Sequence, residues 1–273
     1  MTLISVAELA DRIDDEQLVV CDVRFHLDDH ERGRRDYESG HVRGARFVDL
    51  PTELAAASGD GGGRHPLPSV EAFADVLGRL GIEPRSSVVA YDDAGGATAS
   101  RLWWMLRSIG HGQVAVLDGG IQAWVAAGHE LSTDTPSPVP TVYPPPPGWT
   151  GVVDADAVEQ SLSFGGTVID ARAPERFRGE HEPIDARAGH IPGAINRFHG
   201  DTIGDDGLHR PMPELVELFA GVGTNPVVYC GSGVTACHDL LVLSTIGLPG
   251  GRLYPGSWSE WSADSDRPVA TGD

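Results

Sequence analysis

The chain contains one pattern written twice, and no other feature restricts its fold as much. LVVCDVR around Asp22 is answered by TVIDAR around Asp170, each a short apolar run closed by Asp-x-Arg. SGHVRGA (39–45) is answered by AGHIPGA (188–194), and SSVVAYDDAGGATASRL (86–102) by NPVVYCGSGVTACHDL (225–240). Finally LDGGIQAW (117–124) matches YPGSWSEW (254–261). Four landmarks in the same order describe a duplication. Between the copies lies STDTPSPVPTVYPPPPGWT (132–150), in which seven of 19 residues are proline. Such a stretch cannot form helix or sheet interior and is expected to run as an extended polyproline linker. The expected organisation is therefore a domain over 1–131, a linker over 132–150 and a second domain over 151–273. A length of 273 residues suits two domains of ordinary size.

Within each half, short β-branched runs alternate with helical patterns. Residues 88–91 and 227–229 read as strands buried on both faces. Each is followed by a glycine-rich turn and an apolar-periodic helix, such as Leu102, Met105, Leu106 and Ile109. This alternation implies an α/β fold, each domain a mainly parallel sheet flanked by helices. Ligands bind such sheets beyond the carboxyl ends of strands, which directs attention to the turn after Tyr229.

Lys and Arg total 20 against 40 Asp and Glu, a formal charge of −20. Such a surface repels phosphate backbones and anionic lipid, so neither nucleic acid nor membrane is an expected partner. An anionic substrate would need a dedicated local cation. No apolar run approaches the roughly 18–20 residues that span a bilayer, and the opening residues lack the basic start of a signal peptide. A cytoplasmic protein is expected. Three cysteines, Cys21, Cys230 and Cys237, suggest neither a disulfide framework nor a zinc site.

Cys230 opens the run Cys-Gly-Ser-Gly-Val-Thr-Ala between a strand and a helix. The two glycines let the backbone curl into an anion nest, and the helix adds its positive end. A thiol placed there favours its thiolate, and the same donors could hold the anionic end of a sulfur carried on it. A lone cysteine at a strand end is ordinarily a small core residue; here the strand–Gly-x-Gly–helix setting favours a nucleophile. The matching position in the first half is Asp92, which cannot act as one. One active and one degenerate copy fit an enzyme with a single site.

GHIPGA (189–194), CGSGVTA (230–236) and YPGSWSEW, in this order, resemble the tandem rhodanese-domain sulfurtransferases over nearly the whole chain. The resemblance implies two rhodanese-like domains, the first catalytically inactive and the second catalytic. It also implies a Cys230 persulfide as the sulfur carrier. Cys-Gly-Ser-Gly-Val is similar to the 3-mercaptopyruvate-using branch, whereas thiosulfate-using members carry basic residues after the cysteine. The expected donor is 3-mercaptopyruvate, with thiosulfate the alternative. Expected acceptors are a thiol, cyanide or a thioredoxin-like protein. No metal or organic cofactor is expected. A sulfur-relay or binding protein on the same fold is a further alternative, while a cysteine phosphatase would need an arginine where Ala236 stands.

By the same resemblance, Arg176 holds the substrate carboxylate, its ordinary alternative being a surface ion pair. Arg187 or Arg178 would be the second arginine. Gly231, Gly233, Val234 and Thr235 complete the binding loop. Ser232, His65 and Asp49 would form a proton relay, although His65 lies beside the glycine-rich stretch 59–63, a flexible loop by composition. Arg172, His41 and His190 recur in both halves and are expected to maintain the fold. Cys21, Cys237, Trp258 and Trp261 are expected in the core.

Overall fold

The computed structural model describes residues 2–59 and 62–273. The first sheet has five parallel strands: β1 (Leu3–Ile4), β2 (Leu18–Asp22), β3 (Arg46–Phe47), β4 (Ser87–Tyr91) and β5 (Val114–Leu117), in the order β1-β5-β4-β2-β3. The second has four: β6 (Val168–Asp170), β7 (Ile195–Asn196), β8 (Val227–Tyr229) and β9 (Arg252–Leu253), in the order β7-β6-β8-β9. In both, the strand ending in Asp-x-Arg pairs with the strand leading to the glycine-rich turn. Val227, Val228 and Tyr229 are fully buried, as expected of a central strand covered by helices on both faces. Among the described residues no helix is long and apolar enough to cross a membrane.

The duplicated motifs make duplicated contacts. Arg24 forks onto Asp22 (2.7 Å) and donates to Gly40 O (2.8 Å); Arg172 does the same with Asp170 (2.6 Å) and Gly189 O (2.6 Å). His41 Nδ1 bonds Tyr37 O and its ring stacks on Tyr37 at 4.1 Å. His190 Nδ1 bonds Phe177 O and stacks on Phe177 at 3.7 Å. These charges and rings are buried because each finds its partner within its own half. They tie the segment after the strand to the turn carrying the Gly-His motif, in both copies.

The chain divides into two compact units, and their limits differ from those drawn on the sequence. The first comprises Met1–Ala56, Pro68–Thr150 and Asp205–His209; the second comprises Ala57–Leu67, Gly151–Gly204 and Arg210–Asp273. The proline-rich segment 132–150 is thus not a free linker but part of the first unit. Thr141 N donates to Gly78 O (2.9 Å), Trp149 stacks on Trp104 (6.3 Å), and Trp149 Nε1 donates to Pro68 O (2.9 Å). Its aromatic residues anchor what its prolines keep extended. His209 joins the first unit because its backbone N–H (2.9 Å) and its ring Nδ1 (2.8 Å) both meet the Asp118 carboxylate.

Candidate active site

β8 delivers Cys230 to the mouth of the turn, and the helix Ala236–Thr245 begins six residues later. The thiol is 2% exposed and Sγ accepts the Gly233 N–H at 3.1 Å. Gly233 has φ +76°, and a Cβ there would lie 2.6 Å from Pro255 O, so only glycine lets this N–H turn inward. The loop is braced from outside. Cys230 N donates to Ser257 Oγ (3.1 Å), Trp258 N to Cys230 O (3.0 Å) and Ser259 N to Gly231 O (2.9 Å). Trp258, fully buried, donates from Nε1 to Arg187 O, and Arg172 lies over its ring at 4.6 Å. Val234 is buried and Thr235 caps the helix start, both positioning the loop through backbone bonds to Cys237 and His238.

The segment Ala57–Leu67 folds against this loop within the second unit. Gly63 (φ +75°) is pressed so closely on Gly256 O that a Cβ would lie 2.5 Å from it. Arg64 N donates to Ser259 Oγ (3.0 Å), and His65 Nδ1 lies 2.9 Å from Ser232 Oγ. The structure therefore brings Cys230, Ser232 and His65 together. Residues 60 and 61 of the glycine-rich stretch lie outside the described residues. Asp49 belongs to the first unit, where it precedes the helix Leu50–Glu53 and accepts from Thr52 Oγ1 (2.7 Å).

Arg176 sits in a buried network of alternating charge. Arg172 bonds Asp170 and Glu182; Arg176 bonds Glu182 (2.7 Å) and Asp185 (3.0 Å); Arg64 also pairs with Asp185. Arg187 is engaged elsewhere: its guanidinium donates to the carbonyls of Ser262, Arg267, Trp261 and Asp264. It fastens the segment after the helix Ser257–Trp261, whereas the sequence offered it as one of two candidates for the second substrate arginine. Arg178 pairs with Glu180 at the surface. Arg64, Glu182 and Asp185 carry no sequence signal beyond Arg64's adjacency to His65. Burial works against the charge of Glu182, but hydrogen bonds from Arg176 and the Asp185 backbone hold its carboxyl below the usual value of 4.5. A depressed folded pKa contributes stability above the unfolded value that is lost as pH falls through the folded one. Glu182→Gln should therefore cost about 1–3 kcal/mol at neutral pH. The gap to wild type should close below about pH 4.5 in thermal melts; a gap independent of pH would refute this role.

Asp239, on the helix behind the loop, is fully buried and neither of its oxygens has a hydrogen-bond partner among the described residues. Burial, with the nearby Cys230 and Asp170 charges, pushes it well above the usual carboxylate range. Cys237 is buried with Sγ donating to Gly233 O (3.4 Å). Burial pushes the Cys21 thiol up to about 12, which makes it inert in the core.

In the first unit Asp92 takes the position that Cys230 has in the second. Its carboxylate accepts the backbone N–H of Ala94 (2.9 Å), Gly96, Thr98 and Ala99 (2.8 Å each). The degenerate turn thus shows what this loop architecture does: it closes backbone donors around an anion.

A parallel sheet ending in such a turn, present twice with one cysteine, defines a rhodanese-type protein, and the rhodanese-like domain family matches residues 5–127 and 154–264. The chain is 44% identical to a Pseudomonas aeruginosa protein named as a probable 3-mercaptopyruvate sulfurtransferase, over 99% of this chain and 98% of that one. It is 42% identical to a Mycobacterium tuberculosis protein whose name is that of a thiosulfate sulfurtransferase, over 99% and 97%. Its fold matches the solved 3-mercaptopyruvate sulfurtransferase from Leishmania major with a TM-score of 0.86 at 31% identity, over 98% of this chain and 76% of that one. The chain belongs to the tandem rhodanese-domain sulfurtransferases, enzymes of the 3-mercaptopyruvate or thiosulfate type.

Proposed function

We propose that this enzyme moves sulfur from 3-mercaptopyruvate to a thiophilic acceptor through a persulfide on Cys230. The carrying observation is the Ser232–His65 hydrogen bond beside the nucleophile. When the Cys230 thiolate attacks the donor's thiol sulfur, an S–S bond forms and the donor's C–S bond breaks. The electron pair passes to carbon, leaving the enolate of pyruvate, which needs a proton. A hydroxyl hydrogen-bonded to an imidazole can supply one to the enolate and be recharged. Thiosulfate leaves as sulfite, which needs no such proton on carbon, so a Ser–His pair fits the organic donor better. Arg176 would hold the donor carboxylate, and Gly231, Gly233, Val234 and Thr235 would shape its seat.

The Gly233 N–H and its neighbours in the turn would stabilise the persulfide anion, as the Asp92 turn holds its carboxylate. Cyanide, a small thiol or a thioredoxin-like protein then removes the outer sulfur and regenerates the thiolate. Ser232 and His65 make up the proton relay in this proposal, while the Asp49 carboxylate accepts from Thr52 Oγ1. Thiosulfate is the second reading, and the Mycobacterium tuberculosis relative's name favours it. Steady-state sulfur transfer to cyanide decides between them. A kcat/KM for 3-mercaptopyruvate at least about tenfold above that for thiosulfate, a difference of about 1.4 kcal/mol in transition-state binding, is expected. The opposite preference would overturn the donor assignment.

A further inference from the structure

Arg64 lies on the segment folded over the active turn, one residue before His65. A Cβ built on Gly231, the residue after the nucleophile, would lie 3.0 Å from Arg64 Nη2. The same point is 3.5 and 3.8 Å from Arg176 Nη1 and Nη2. Two guanidinium groups therefore converge on the bare face of Gly231, so close that a side chain there would crowd Arg64. Asp185 bridges them, taking Arg64 on Oδ1 and Arg176 on Oδ2 (3.0 Å), with its carboxylate only 3% exposed. The backbone beneath Arg64 is fixed through Ser259 to Gly231 itself.

Neither arginine is saturated. Arg64 Nε is buried with no hydrogen-bond partner among the described residues, and Arg176 bonds only through Nε and Nη2. The charge balance of the network points the same way. Asp170, Glu182 and Asp185 balance Arg172, Arg176 and Arg64, so without Arg64 the site would be net negative. In a protein of charge −20, an anionic donor would then meet repulsion at the last step. Arg64 and Asp185 also line an open cleft of about 680 Å³, and of the two it is the Arg64 side chain, 26% exposed, that reaches solvent.

We propose that Arg64 is the second donor-binding arginine, forming with Arg176 a two-guanidinium cradle over Gly231 that Asp185 holds in register. The inference rests on Cys230 being the sulfur-accepting nucleophile, but not on which donor is used, because 3-mercaptopyruvate and thiosulfate are both anions. Arg64→Gln should raise KM for the preferred donor by about 10–100-fold, the usual effect of losing a charge-assisted fork, with kcat changed less than about threefold. Arg64→Lys keeps the charge and can keep its pair with Asp185 without the fork, so it should fall between. Discharge by cyanide of enzyme already loaded with sulfur should match wild type in both variants. Thermal melts show whether Arg64→Gln is folded; if it is not, Arg64→Lys carries the test. A KM within twofold of wild type, or a fall in kcat alone, would overturn the proposal. The wild type's donor preference, read in the same assay, tests the mercaptopyruvate reading separately.

Discussion

Cys230→Ser is expected to abolish sulfur transfer from either donor, lowering kcat/KM by about 10⁴-fold or more, as loss of a covalent nucleophile does. Serine is nearly the same size as cysteine, and its oxygen can accept the Gly233 N–H that now meets Sγ at 3.1 Å. The fold should therefore survive, with a melting temperature within about 2 °C of wild type, since the change makes neither a large cavity nor an orphaned donor. The other thiols are badly placed to substitute. Cys237 is buried and donates to Gly233 O, and Cys21 lies in β2 with its thiol held protonated by burial. Mass spectrometry of donor-treated protein should show one added sulfur in wild type and none in the serine variant. Added sulfur in that variant would move the carrier to Cys237 and invalidate the assignment.

What is legible in the sequence divides along contact range. Asp22 and Arg24, Asp170 and Arg172, His41 and His190 could be read as structural because each appears twice, and the partners that repeat with them, Gly40 and Gly189 for the arginines and Tyr37 and Phe177 for the histidines, lie close in the chain. The strand at Val227–Tyr229 and the helix Ala236–Thr245 follow from apolar runs and glycine spacing, which report local geometry faithfully. Arg64 is different. Its backbone partner, Ser259, is 195 residues away, and no periodicity in either segment announces the contact. The contacts of Arg187 are illegible for the related reason that four carbonyls able to take a guanidinium leave no mark in the side-chain pattern. The proline-rich stretch misleads in another way. Its composition correctly indicates extended backbone, but Tyr143 and Trp149 fasten it to the first unit.

Asp92→Ala should be the most destabilising single change in the first unit. The carboxylate is fully buried, and four backbone N–H groups and the Thr98 hydroxyl converge on it. Alanine would take the acceptor from the four backbone donors in a low-dielectric interior, while the Thr98 hydroxyl keeps Val23 O at 2.7 Å. About 3–5 kcal/mol is expected, from a domain whose total stability is of order 5–15 kcal/mol. The melting transition of the first unit should fall by roughly 10–20 °C. Asp92→Asn would keep one acceptor oxygen but turn an amide N–H₂ toward donors, so it should recover only part of the loss. Sulfur transfer measured well below the lowered transition should remain near wild type, because Cys230 and its immediate partners lie in the other unit. Asp92 also bears on catalysis by analogy of its turn with the active one. If Asp92→Ala left the melt unchanged, the donors of this turn would not be committed to an anion. The proposal that the Cys230 turn stabilises a persulfide would then lose its structural support.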